Sequence, residues 1–117
     1  MFKMIKRISG LIICLFGIFN ANAQLPLAEL EALQALYNAT GGPNWVSETD
    51  ADLTNDWNFA VPLAATVVTN DWYGVTVNAN SVIALDLDNN SNTGNNLIGT
   101  IPTEIGNLQS LTILDLS

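Results

Sequence analysis

Two stretches of this chain lie over one another. Leu85-Asp86-Leu87 matches Leu114-Asp115-Leu116, the match sets Val82 over Leu111, and the offset is 29 residues. A repeat of that length is one supersecondary unit, and a single unit cannot bury its own apolar face. Such a chain folds by stacking units side by side. Within the unit, Val82, Leu85 and Leu87 take the first, fourth and sixth positions and are read as core. The next unit supplies Leu111, Leu114 and Leu116. Strand signals begin earlier, where Val75 and Val77 alternate with Thr76, a turn follows at Asn78-Ala79-Asn80, and residues 82–87 alternate again. The polar run from Asp88 to Asn96 then leads into Leu97-Ile98-Gly99-Thr100-Ile101-Pro102-Thr103-Glu104-Ile105-Gly106-Asn107-Leu108.

Upstream the period changes. Leu27, Leu30, Leu33, Leu36 and Tyr37 recur at spacings of three and four, which predicts an amphipathic helix over residues 27–38. Pro26 suits its first turn, and Glu29 and Glu31 lie near its positive end. Thr40-Gly41-Gly42-Pro43 stops it. Residues 44–72 read as irregular, with a short strand expected at Thr66–Thr69. They hold Trp45, Trp57 and Trp72, three large apolar side chains that are read, with Leu33 and Leu36, as the core of a small cap. A sugar-stacking platform would need at least one of these rings exposed.

The opening of the chain points to export. Lys3, Lys6 and Arg7 precede an apolar run from Ile8 to Phe19, which is shorter than a membrane span, and Ala21-Asn22-Ala23 offers small residues at alternate positions. The expected cut is between Ala23 and Gln24, so Cys14 leaves with the leader and no membrane span remains. Removing the leader takes away all three basic residues of the chain and leaves all eleven acids. The remainder has no Lys, Arg, His or Cys. A Ser-His-Asp or Cys-His centre, a Schiff-base lysine and an ordinary zinc site are therefore excluded from it. Nucleic acid is excluded as a partner, because a surface of carboxylates repels phosphate. No cofactor is implied.

Asn95-Asn96-Leu97-Ile98-Gly99-Thr100-Ile101-Pro102-Thr103-Glu104-Ile105-Gly106-Asn107-Leu108 resembles the plant-type leucine-rich repeat, with its Leu-x-Gly-x-Ile-Pro signature and Ile-Gly-Asn-Leu ending. Leu33 to Trp45, Trp57 and Asp71-Trp72-Tyr73-Gly74-Val75-Thr76-Val77 resemble the N-terminal cap of such proteins in a cysteine-free form. Residues 58–70 match nothing in it. The resemblance implies an α/β fold: a helical cap over residues 24–81, then short parallel strands of a leucine-rich-repeat solenoid over residues 82–117, with an irregular or 3-10 convex side. It makes Leu97, Gly99, Ile101, Pro102, Ile105 and Leu108 structural. The usual plant-type repeat is several residues shorter, and the surplus falls in Asp88–Asn96. Asn90 or Asn95 is then the asparagine that bonds the turn's backbone carbonyls. The last strand pattern stops in mid-alternation, so the chain reads as a fragment whose second repeat is only begun.

What the resemblance implies for function is recognition without catalysis, of a protein or glycan ligand, on a secreted or cell-surface module. The outward residues of the strands form the expected ligand face: Ile83, Ala84, Asp86 and Asp88, then Thr112, Ile113, Asp115 and Ser117. The other reading makes this segment the recognition or capping region of a larger secreted or anchored enzyme. Two weaker sites remain. Asp50, Asp52 and Asp56 near two tryptophans could be glycosidase carboxylates, though a solvated acidic loop explains them as well. Asp86–Asn96 has oxygen ligands at alternate positions, which would give weak calcium binding, yet Ser91 and Leu97 stand where an EF-hand loop needs Gly and Glu. Asn38-Ala39-Thr40 and Asn89-Asn90-Ser91 match the glycosylation acceptor pattern.

Overall fold

The computed structural model describes residues 24–88 and 94–117. The expected leader, Asn90 and the Asn89-Asn90-Ser91 acceptor pattern lie outside the described residues. The first element is helix α1, Leu27–Ala39. Leu30, Ala32, Leu33 and Leu36 are its buried face. Leu27 was expected on that face and is not, since it stands half exposed at the helix start, one turn before the cap core closes over the helix. Glu29 lies in the first turn, as expected, and is buried. The helix ends where Thr40 turns both its N–H and its hydroxyl onto the Leu36 carbonyl, at 3.1 and 2.6 Å. Gly41 then takes φ 71°, and a 3-10 turn runs over Gly42–Asn44.

A four-residue helix, α2, covers Val46–Thr49, and a second 3-10 turn covers Leu63–Ala65. The strand expected at Thr66–Thr69 does not form. Its polar groups are used locally: the Thr66 hydroxyl accepts from Ala60 N–H, the Thr66 carbonyl from the Gln24 carboxamide, and the Thr69 hydroxyl from Asp71 N–H. An extended segment whose side chains satisfy nearby backbone has no ladder to join. Thr66 and Val68 are nonetheless buried and anchor the segment to the cap.

The three tryptophans lie inside. Trp45, Trp57 and Trp72 are 0, 3 and 6 % exposed, so no ring is offered to a sugar. Trp45 and Trp57 meet edge to face at 5.0 Å, Phe59 meets Trp72 in the same way at 5.2 Å, and Tyr37 closes the group against Trp45 at 5.2 Å. These are favoured aromatic geometries. Each of two indole N–H groups finds a main-chain carbonyl, Trp45 on Thr40 and Trp57 on Tyr73.

Strands β1 (Val75–Asn78) and β2 (Ser81–Asp86) form a hairpin, and β3 (Ile113–Asp115) pairs with β2 on its other side. The hairpin turn uses Ala79 and Asn80, both at positive φ, 53° and 62°, as a two-residue turn that follows strand twist requires. Thr76 faces Ala84 and Val77 faces Val82, so Ile83 is an extra residue without an opposite number. That bulge lets Val82 and Leu85, three apart, both point into the core. The β2–β3 pair is parallel and joins Ala84 to Ile113, Leu85 to Leu114 and Asp86 to Asp115. The sequence offset is thus the strand register. On β1, the Val77 N–H goes to the Asn70 side-chain oxygen at 2.7 Å.

Between β2 and β3 the chain returns across the end of the cap. Val46 N–H donates to the Asn95 carbonyl, Ser47 N–H to Asn95 Oδ1 at 2.9 Å, and Ile98 N–H to the Thr40 carbonyl. Asn95, one of the two asparagines expected to bond the turn, is 1 % exposed, and its side chain bonds Ser47 of α2. Gly99, at φ 138°, runs so close to α1 that a Cβ would lie 2.0 Å from the Ala39 carbonyl oxygen. A 3-10 turn at Thr103–Asn107 follows. Leu97, Ile105, Leu111 and Leu116 are partly buried and Leu108 almost fully. Pro102 is half-buried. Leu114 departs from its expected core role, at 45 % exposed, and Ile101 is 51 % exposed. Leu114 is on β3, and among the described residues no strand pairs with β3 on the side away from β2.

Gly99→Ala is expected to cost about 2 kcal/mol or more, from a strained backbone angle and a clash with α1. Gly106→Ala, where a Cβ would meet nothing within 4 Å, should change stability by less than about 0.5 kcal/mol. Chemical denaturation of the two variants, monitored by tryptophan fluorescence, checks the contrast.

Candidate functional site

The bulge and the parallel register decide which side chains leave the sheet. Asp86 and Asp115 are register partners and both are exposed, while Leu85 beside Asp86 is fully buried. Thr112 and Ile113 are exposed, and Ile83 and Ala84 are half-buried because the bulge turns two consecutive residues partly outward. The expected face is thus assembled from adjacent strands, with Asp88 half-buried at its margin and Ser117 exposed.

Each strand ends in the same small device. Asp86 Oδ1 accepts from the Asp88 N–H at 3.3 Å, and Asp115 Oδ1 accepts from both the N–H and the hydroxyl of Ser117, at 3.1 and 2.6 Å. Hydrogen bonds to the charged form favour it. The Ser117 hydroxyl, and then its N–H, hold the Asp115 carboxyl below the usual carboxylate range. Tyr73 donates its hydroxyl to the Asp88 carbonyl at 3.0 Å and so joins the cap to the edge of this face. Burial first, then the carboxylates of Asp86, Asp88 and Asp50, push its phenol upward. Thr112 ties the two strands a second time, its hydroxyl on the Ile83 carbonyl at 3.0 Å.

The other acidic group resolves into a loop. Asp52 accepts from the Thr54 hydroxyl and N–H and from Asn55, and Asp50 accepts from Asp52 N–H. The Thr54 bonds lower the Asp52 carboxyl. Such an arrangement orders a turn, and the indoles beside it are covered. Among the described residues no group of three or more His, Cys, Asp or Glu is placed to hold a metal ion. Asn38 is exposed at the end of α1, whereas the Thr40 of its acceptor pattern is buried.

Two carboxylates carry the interior, Glu29, which the sequence places only at the positive end of α1, and Glu48. Glu29 accepts from the Ser81 hydroxyl and the Val82 N–H, both at 2.8 Å, and so pins the start of β2 to the first turn of α1. Glu48 accepts from Trp57 N–H at 2.8 Å and from the Tyr37 hydroxyl at 3.5 Å. No pattern in the sequence marks either, because each depends on a partner far along the chain.

With this geometry in hand, the comparisons with known proteins are informative. The chain is 36% identical to a probable LRR receptor-like serine/threonine-protein kinase of Arabidopsis thaliana, over 92% of the chain. The likeness identifies a leucine-rich-repeat-related region. The chain spans 11% of the length of that kinase. No family model matches the chain, and no solved structure does. Among the described residues no helix is long and apolar enough to cross a membrane.

Glu48 gives a pH dependence whose sign follows from its surroundings. Burial first, and then the charges of Asp56 and Asp50, raise its carboxyl above 4.5, against the opposing bonds from Trp57 and Tyr37. The folded state therefore binds this proton more tightly than the unfolded one. Stability from this group is fully present below 4.5 and is lost as pH rises through the raised folded value. The lowered Asp115 and Asp52 act oppositely: their contribution is present above 3.8 and is lost as pH falls through their folded values. The protein should thus be more stable near pH 5 than at pH 7. Glu48→Gln, which keeps an acceptor for Trp57, should flatten that rise; melting temperatures of both proteins across this range decide it.

Proposed function

We propose that residues 24–117 are the cap and opening repeat of an exported leucine-rich-repeat module that recognises a protein partner on the outward face of β2 and β3. The observation that carries this reading is the parallel pairing of β2 with β3 at the repeat offset, which puts Leu85 in the core and sets Asp86 and Asp115 side by side outside it. A solenoid presents one surface row by row in this manner. The leader is read as residues 1–23, cleaved after Ala23, and the mature module as extracellular or on the cell surface. The similarity to a region of a receptor-like kinase supports a role in protein interaction. Catalysis has no assigned residue in this segment.

The chemistry of the face selects its partner. Asp86, Asp88 and Asp115 bring carboxylates together, and the mature part has no cationic side chain to neutralise them. A basic protein surface would replace the missing cations, and its association would weaken as salt rises.

Replacing Asp86, Asp88 and Asp115 by Asn tests the reading against a charge-matched control in which Glu31 and Glu104 become Gln and Asp71 becomes Asn, all exposed and off the face. Each immobilised protein is offered the extracellular proteins of its own source, and captured basic proteins are quantified at low and high salt. The face variant should lose roughly tenfold or more of the capture, with a flatter salt response, while the control keeps it. Equal behaviour of the two variants would place recognition elsewhere.

A further inference from the structure

We propose that Gln24 is converted to pyroglutamate after export, which leaves residues 24–117 without an amine. The proposal rests on the reading that the leader is cut after Ala23. Residues 25–117 contain no Lys, Arg or His, so the α-amine released at Gln24 would be the one cation-forming group within residues 24–117. An N-terminal residue whose side chain is a carboxamide one bond longer than that of Asn has its own electrophile within reach.

The fold holds the chain immediately after this residue and leaves the residue itself accessible. Leu25 is 4 % exposed, and the Pro26 carbonyl accepts the N–H groups of Glu29 and Leu30 at the start of α1. Gln24 is exposed. Its main-chain nitrogen donates to no acceptor among the described residues. Its carboxamide rests on the Leu63–Ala65 turn, where Nε2 donates to the carbonyls of Ala64 and Thr66.

The step needs no co-reactant. The α-amine, which titrates near pH 8 and is partly neutral at physiological pH, attacks Cδ and forms a C–N bond. The bond from Cδ to Nε2 breaks, a proton passes from the attacking nitrogen to the departing one, and ammonia leaves. Nothing is oxidised or reduced. The product is a ring amide, so the terminus loses its positive charge. The donors that bound Ala64 and Thr66 leave with the ammonia, and the ring N–H is the donor that remains on residue 24.

The test uses the full chain secreted by a host cell and purified from the medium. Intact mass and an amine-reactive ester are the two readouts. The expected result is a protein lighter by one ammonia than residues 24–117, with essentially no chain labelled by the ester. Gln24→Asn, whose shorter side chain does not close the ring, should show its full mass and take one label per chain. A wild-type mass equal to unmodified residues 24–117, with one label per chain, overturns the proposal while leaving the cleavage reading standing. A mature chain that begins at any other residue overturns both. Should the variant fail to be secreted, the wild-type mass and labelling still decide.

Discussion

Residues 24–117 have carboxylates and no side-chain cation, and that imbalance shapes the polar contacts they make. A buried carboxylate is costly unless its charge is met by donors. Here the donors are hydroxyls and main-chain N–H groups alone. Glu29 is met by Ser81 and Val82, Glu48 by Trp57 and Tyr37. These four bonds join different segments, so the acids that might have opened the core instead hold α1 to β2 and α2 to the tryptophan group. Because each is met by N–H and O–H dipoles rather than by an opposite charge, the cap depends little on ionic pairing and much on geometry.

Packing and polar contacts then converge on one seam. The aromatic group fixes where α1 ends, Asn95 and Ile98 dock on that end, and Gly99 allows the backbone to lie against it. From there the chain is aimed at β3, and β3 meets β2 in register. The outward face of the two strands therefore depends on contacts made on the opposite side of the molecule.

The periodic parts of this arrangement were legible in the sequence. The helix pattern over 27–38 gives Leu27–Ala39, and the offset between Leu85 and Leu114 is the register of β2 on β3. Periodicity reports which face is buried, and it does so where an element is long or repeated. It fails where the deciding contact is a single side chain. Thr66–Thr69 has strand-like residues, yet Thr66 and Thr69 spend their polar groups on Ala60 and Asp71. Leu114 carries a core residue's pattern and stands half exposed. Of the candidate face, the sequence placed Asp86 and Asp115 together through the repeat. The bulge at Ile83, which explains why Ile83 and Ala84 both turn partly outward, depends on the pairing with β1 and has no signature of its own.

The bond from Val77 to Asn70 gives the sheet a polarity. On the β1 side a backbone donor that another strand would need is already occupied by a side chain. A foreign strand seeking to extend the sheet there must first displace that carboxamide, whereas β3 meets it with no such obstacle in the described residues. Growth by strand addition, whether orderly or pathological, is thereby confined to one direction. Asn70→Ala would make the sheet two-ended and expose it to the fibrillar stacking that protected edges prevent.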